Sequence, residues 1–344
     1  MDLPVQPSAE LPIAAPDARR GEDALATLTA LVKDDLEVCN RLIVERMQSP
    51  VALIPQLAAH IVAAGGKRLR PLLTLAAARM AGYRGERHIG LAACVEFIHT
   101  ATLLHDDVVD DANERRGFFS LNALWKNKVA VLVGDYMLSK VLLLSIEKNN
   151  VRLLEIAARA VREMSEGELL QIEKARRLDI TEEIYFEVIR QKTASLIATC
   201  CEAGAIAAER EDMAEQMRRF GELVGLAFQI KDDIFDYGTP EKIGKPTGLD
   251  IRERKLTLPL IYTLNNAPKE VRSELINIVK NHNEEKRFVH RAIELVASHG
   301  GLDYAYRKMM ELKEKALDEL KGIPDSEAKR AVIGLVEYTT LREK

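Results

Sequence analysis

The sequence predicts an all-α fold, a single-domain bundle of about thirteen helices, and three observations predict it. No proline occurs between Pro71 and Pro240. A proline ring removes an N–H and clashes with the preceding helical turn, so a stretch without one can run as helix throughout. That stretch is rich in Ala, Leu, Ile, Glu and Arg and poor in alternating β-branched or aromatic runs, with aromatic residues at 5% of the chain. Finally, segments 88–111 and 212–237 are apolar on most faces, with Ala92, Ala93, Gly221 and Gly225 among larger residues. Helices of that kind belong in the middle of a bundle.

Gly, Asn and Pro set the element boundaries in order. A helix over 22–47 follows Gly21 and stops before Pro50; 51–64 ends at Gly65-Gly66; 71–82 opens on Pro71 and closes at Gly82. Helices over 88–111 and 119–147 flank Asn113 and Gly117, and 150–175 follows Asn149-Asn150. Next come 181–208 and 212–237, the latter closed by Gly238 and Pro240. The remainder reads as 255–265, 269–280, 284–298, 301–321 and 325–341, separated by Pro268, Asn283, Gly300 and Pro324. Residues 1–20, with Pro4, Pro7, Pro12 and Pro16, form a loose tail, and 21–344 one helical domain without repeat, low-complexity segment or internal linker.

Composition narrows the function classes. With 47% hydrophobic and 30% charged residues, the 344-residue chain is neither disordered nor fibrous. Lys plus Arg number 49 and Asp plus Glu 53, a net charge of -4, so no global basic field exists to hold nucleic acid. The longest apolar runs, such as Val129–Val133 and Val141–Leu144, fall short of the roughly 18 residues that cross a bilayer. The tail matches neither a secretory signal nor a basic transit peptide. Cys39, Cys94, Cys200 and Cys201 lack metal-ligand spacing, and a reducing cytoplasm is the expected location.

The chemistry-bearing anomaly is His105-Asp106-Asp107-Val108-Val109-Asp110-Asp111, at the end of an otherwise apolar helix. Residues three, four and seven apart share a helical face, so His99, Thr102, Asp106 and Asp110 form one polar line. Bare carboxylates at i and i+4 repel one another and call for a counter-charge. The pattern recurs about 125 residues later as Gln229-Ile230-Lys231-Asp232-Asp233-Ile234-Phe235-Asp236, with Gln229, Asp232, Asp233 and Asp236 on one side. Two such stripes facing each other make an all-oxygen site suited to Mg²⁺, which takes one or two carboxylates per ion and shares phosphate oxygens with a substrate. A single Asp-Asp-x-x-Asp is commonly a solvated helix end; two copies on apolar helices with cations close downstream are not. An EF-hand is excluded, because the alternating ligand spacing and the loop glycine are missing.

Cations for a phosphate follow. Gly65-Gly66-Lys67-Arg68-Leu69-Arg70-Pro71 places three positive charges on a glycine-hinged turn that opens a helix. It is not a Walker motif, since the Ser or Thr after the lysine and the preceding strand are absent. Arg115-Arg116, Lys192-Thr193, Lys245 and Lys255 supply further charge beside the stripes.

With these motifs in hand the sequence resembles the trans-isoprenyl diphosphate synthases, or polyprenyl synthetases, of the long-chain type. The resemblance rests on Gly65–Pro71, Glu96-Phe97-Ile98-His99, His105–Asp110 with Arg115-Arg116, Gly167-Glu168 with Gln171, Lys192-Thr193, Phe228–Asp236, and Gly244-Lys245 through Gly248-x-Asp250 to Lys255-x-Thr257-Leu258-Pro259, in family order over most of the chain. It implies the isoprenoid synthase fold, helices around a central active-site cavity. It also implies an isopentenyl diphosphate site of Lys67, Arg70, His99 and Arg116, and an allylic diphosphate site of Arg115, Lys192, Thr193, Gln229 and Lys245. Three Mg²⁺ ions would bridge the allylic diphosphate to Asp106, Asp110 and Asp232, supported by Asp107 and Asp236. The catalytic set so implied is Asp106, Asp110, Asp232, Lys192 and Arg115. Lys231 stands where many relatives carry an uncharged residue, and is expected to point outward.

The chemistry implied is carbon–oxygen cleavage of an allylic diphosphate, attack by the double bond of isopentenyl diphosphate, and proton loss to an alkene, with no nucleophilic side chain. A terpene cyclase would need no second diphosphate pocket, and Lys67, Arg70 and His99 argue against it. A noncatalytic partner subunit is a further alternative, against which both complete stripes weigh. Four and five residues before Asp106 stand Thr102 and Ala101, neither of them bulky, so a growing chain is not stopped there. The expected product has six to eight or more isoprene units, of the kind used for quinone tails, with a shorter farnesyl or geranylgeranyl product as the alternative. A homodimer without a transmembrane segment is the expected assembly.

Overall fold

The computed structural model describes residues 18–63, 68–109, 114–115, 118–119, 127–147, 151–175, 180–238 and 247–341. Its helices are α1 (Ala18–Leu31), α2 (Lys33–Arg46), α3 (Leu53–Ala63), α4 (Leu69–Met80), α5 (Arg87–Val109), α6 (Asn127–Glu147), α7 (Val151–Ala175), α8 (Glu182–Ile189), α9 (Ser195–Ala207), α10 (Glu211–Phe235), α11 (Leu249–Arg252), α12 (Leu258–Asn266), α13 (Lys269–Asn281), α14 (Lys286–Ser298), α15 (Gly301–Glu319) and α16 (Glu327–Leu341). A five-residue π turn, Arg190–Ala194, joins α8 to α9.

The all-α expectation holds, and several boundaries move. The single helix expected over 22–47 is two, because the chain bends at Val32, whose side chain and that of Leu28 enter the core. The bend lets α1 pack on α16 and α2 on α5. Helix α1 begins at Ala18, within the expected tail, and residues 1–17 lie outside the described residues. Of the helix expected over 119–147, Asn127–Glu147 is helical and 120–126 lie outside the described residues, while Phe118-Phe119 pairs antiparallel with Glu114-Arg115 as a two-residue ladder. The helix expected over 181–208 is divided by the π turn. The one expected over 255–265 starts at Leu258, because Pro259 lacks an N–H and fits the first turn, where none is needed.

Helix α9 is the centre: every residue from Ser195 to Ala207 is buried, and the helix packs against α4, α5, α7 and α10. The sequence pointed to 88–111 and 212–237 for the middle of the bundle, and α5 is buried along most of its length and packs on α9. The first half of α10, by contrast, keeps Asp212, Glu215 and Arg219 at the surface, while the small residues Ala198, Ala203, Gly204 and Ala205 let α9 be enclosed. A methyl group at Gly204 would lie 2.6 Å from the Thr74 carbonyl oxygen, and one at Gly221 2.7 Å from the Ala198 Cα, so α4, α9 and α10 touch backbone to backbone. Glu202 inside α9 is paired with Arg152 and Arg159 of α7.

Two apolar clusters result. The larger gathers α1 to α7, α9, α16 and the first part of α10; the smaller joins Tyr185, Ile189, Ala194, Leu226 and Ile230 to α12 through α15. Helix α10 belongs to both, and its acidic end emerges beside the second.

Helix α6 departs from expectation. Judged by contiguous runs it was too short to span a bilayer, yet as a whole helix of 21 residues it is long and apolar enough by length and composition. Asp135 and Lys140 had broken up the runs. Ala130, Val133, Met137, Val141 and Leu144 face the core, against α5, while Val131, Leu132, Leu142, Leu143 and Ile146 are exposed.

Candidate active site

A cavity of about 240 Å³ opens at the acidic end of α10. It is lined by Lys192, Thr193, Gln229, Asp233, Asp250 and Lys255, among others, with apolar walls from Ile180, Val188, Ile189 and Leu256. Cations and carboxylates share one half-enclosed space.

The wiring starts from spacing. Gln229 and Asp233 are one helical turn apart, so Gln229 Nε2 donates to Asp233 Oδ1 at 2.8 Å. Gln229 Oε1 in turn accepts from the Thr193 hydroxyl at 2.9 Å, and the buried Tyr185 hydroxyl donates to Asp233 Oδ2 at 2.6 Å. Burial is the main cause that pushes the Asp233 carboxyl up to about 6, and Asp232 and Asp236 add to it against the pull of those hydrogen bonds. Asp250, enclosed nearby, is raised well above the ordinary value, first by burial and then by Asp233 and Asp236. Lys192 Nζ pairs with Glu168 of α7.

Asp236, expected as a supporting metal ligand, has both oxygens engaged: Oδ1 accepts from the Leu249 N–H and Oδ2 from the Asp250 N–H, each at 2.9 Å. It caps α11, which enters through Gly248 at φ 74, a left-handed conformation that glycine adopts without steric cost. Lys231 is half-buried instead of projecting outward, its Nζ 4.9 Å from the centre of the Phe235 ring one turn on.

The first stripe stands on α5. Asp107 is buried, Asp106 half-buried. Helices α5 and α10 both pack on α9. In the other expected pocket, Arg70 Nη1 donates to His99 Nε2 at 2.9 Å; a guanidinium has no acceptor, so that ring nitrogen carries the lone pair. Arg68, two residues before Arg70, holds a left-handed φ of 47 at the N-terminus of α4 and sends its side chain to the buried Glu96 of α5. Ala101 is fully buried, and the Thr102 hydroxyl bonds back to the His99 carbonyl at 3.0 Å.

Of the residues read from the sequence, the structure thus brings together Lys192, Thr193 and Gln229 in one cavity and Arg70 with His99 in a contact. Asp106, Asp232, Asp236, Ala101 and Thr102 do not line that cavity. Lys67, Asp110, Arg116, Lys245 and the side chain of Arg115 lie outside the described residues. Tyr185 was missed. Its signal lay only in the fold, since nothing in 181–189 marks an aromatic hydroxyl aimed at α10.

Asp106, Asp107, Asp232 and Asp236 offer only carboxylate oxygens, hard donors of the kind that Mg²⁺ takes. Among the described residues no three His, Cys, Asp or Glu side chains converge into a complete metal cluster.

Comparison with known proteins agrees with this geometry. The polyprenyl synthetase family model matches residues 51–296. The octaprenyl diphosphate synthase of Escherichia coli is 35% identical over 322 residues, 93% of this chain and 99% of that one. The crystal structure of a decaprenyl diphosphate synthase from Rhodobacter capsulatus superposes with a TM-score of 0.89 at 42% identity, over 93% of this chain and 99% of that one. A polyprenyl synthase from Caulobacter crescentus, complexed with calcium and isoprenyl diphosphate, gives 0.87 at 40% identity, over 97% and 100%. With its helical architecture, its paired acidic stripes and a match of this extent, the chain belongs to the polyprenyl synthetase family.

Proposed function

We propose that the chain is a Mg²⁺-dependent prenyltransferase. It condenses isopentenyl diphosphate with an allylic diphosphate, such as farnesyl or geranylgeranyl diphosphate, releases pyrophosphate and builds a long all-trans polyprenyl diphosphate for quinone side chains. The observation that carries this reading is the cavity in which Lys192, Lys255 and the hydrogen-bonded line Thr193–Gln229–Asp233–Tyr185 meet under apolar walls. Cations and hydroxyls there hold a diphosphate, and the apolar side keeps water from an allylic cation.

Three Mg²⁺ ions held by Asp106, Asp107, Asp110, Asp232 and Asp236 would neutralise the departing pyrophosphate. Arg115, Lys192, Thr193, Gln229 and Lys245 bind the allylic diphosphate. Lys67, Arg70, His99 and Arg116 bind isopentenyl diphosphate, and the Arg70–His99 contact preassembles part of that second pocket. The exposed outer stripe of α6 fits a second copy of the chain, and a homodimer in the cytoplasm is the proposed assembly.

Purified protein given farnesyl diphosphate, isopentenyl diphosphate and Mg²⁺ should release pyrophosphate and yield products of six to eight or more isoprene units. Products that stop at fifteen or twenty carbons would replace the long-chain reading with the short-chain one. Absence of pyrophosphate release by the single chain would leave a noncatalytic partner subunit.

A further inference from the structure

The Gly167-Glu168 motif has no part in the proposed chemistry, yet it meets the residues that do. In an unbroken α-helix each residue advances by about 100°; a π turn inserts one extra residue and so rotates everything beyond it by about that much. The turn Arg190–Ala194 contains Lys192 and Thr193, and both line the cavity. Such a turn is intrinsically unfavourable and persists only where its surroundings enforce it.

Two glycines enforce it from opposite helices. A methyl group on Gly167 of α7 would stand 2.8 Å from both the Lys192 backbone nitrogen and the Gln191 Cβ. One on Gly225 of α10 would stand 2.5 Å from the Ala194 Cα. Real Cβ contacts do not approach 3.0 Å, so either side chain would push the turn out of its slot. Glu168, next to Gly167, pairs with the Lys192 ammonium and orients it.

We infer that Gly167 and Gly225 are positioning residues: they clamp the π turn so that Lys192 and Thr193 face the allylic diphosphate. The inference rests on the allylic assignment proposed above. The test measures steady-state pyrophosphate release by the full chain, varying farnesyl and isopentenyl diphosphate in turn at saturating Mg²⁺. Gly167→Ala and Gly225→Ala should each raise the farnesyl diphosphate KM about tenfold or more and leave the isopentenyl diphosphate KM within about twofold. Gly221→Ala, equally crowded on α10 but away from the turn, supplies the control: at a comparable loss of Tm the ratio of the two KM values should not change.

If Lys192→Ala leaves the farnesyl diphosphate KM unchanged, the allylic assignment fails and takes the inference with it. If Lys192→Ala raises that KM while both glycine variants leave it alone, or move both KM values in step with Tm as Gly221→Ala does, the clamp alone is overturned. Should the alanine variants not fold, Ala194→Gly loosens the slot without adding an atom. A raised farnesyl diphosphate KM alone then supports the clamp, and two unmoved KM values overturn it.

Discussion

Asp232 and Asp233 are adjacent and do different work. Asp233 is buried and holds Tyr185 and Gln229, whereas Asp232, half-buried on the next face, is the proposed metal ligand of the pair. Asp106→Ala and Asp232→Ala should therefore each lower kcat on the order of 10²–10³-fold at saturating Mg²⁺ with unchanged far-ultraviolet circular dichroism. Near-normal turnover in both would remove the metal assignment. Arg70→Ala loses a charge-assisted phosphate contact, about 1.5–3 kcal/mol, and should weaken isopentenyl diphosphate binding more than allylic binding. A mutant whose allylic affinity fell instead would mean that the two pockets are exchanged. A separate pair of contacts gives a pH signature. Burial raises the Asp35 carboxyl, but His88 Nε2 at 2.9 Å and Arg79 Nη2 at 2.6 Å outweigh it, so its pKa falls below the ordinary 3.8. A depressed carboxyl stabilises the fold fully above 3.8 and loses that contribution as pH falls through its folded value. Asp35→Asn should thus cost stability at pH 7, by about 1–3 kcal/mol in denaturant titration, with the gap from wild type closing below pH 4. A constant gap down to pH 2.5 would refute the linkage.

At the scale of elements, α5 carries both the first stripe and the proposed ruler. Ala101 lies fully buried, with Ile98 and Cys94 buried toward the N-terminus and the inner stripe of α6 alongside. Ala101→Phe should shorten the product toward farnesyl or geranylgeranyl diphosphate while turnover persists; an unchanged product distribution would show that the chain does not pass there. The sequence was most legible where periodicity alone decides. The Gln229–Asp233 turn and the acidic stripes follow from i, i+4 spacing, and Pro, Gly and Asn placed most helix ends within a few residues. It was least legible where neighbours decide. Nothing local announces the bend at Val32 or the π turn, because one serves the burial of Val32 and Leu28 and the other is held by glycines 23 to 35 positions away along the chain. Likewise, nothing near Asp236 in sequence announces that the left-handed entry at Gly248 brings the N–H groups of α11 onto both its oxygens.

At the scale of the whole molecule, α6 is apolar on both faces, and among the described residues only one of them is covered. If a second copy covers the other, sedimentation should show a dimer, and Leu132→Glu with Leu143→Glu should yield monomer; a wild-type monomer at micromolar concentration would refute the assembly. A dimer formed in that way would also change the order of the folding reaction. A chain whose longest apolar stripe is finished only by another chain folds by a bimolecular step, so each tenfold dilution withdraws about 1.4 kcal/mol from the assembled state. The melting temperature of such a protein is a function of how much of it is present, and a substitution on the outer stripe that is harmless at high expression would become limiting in a cell that makes little.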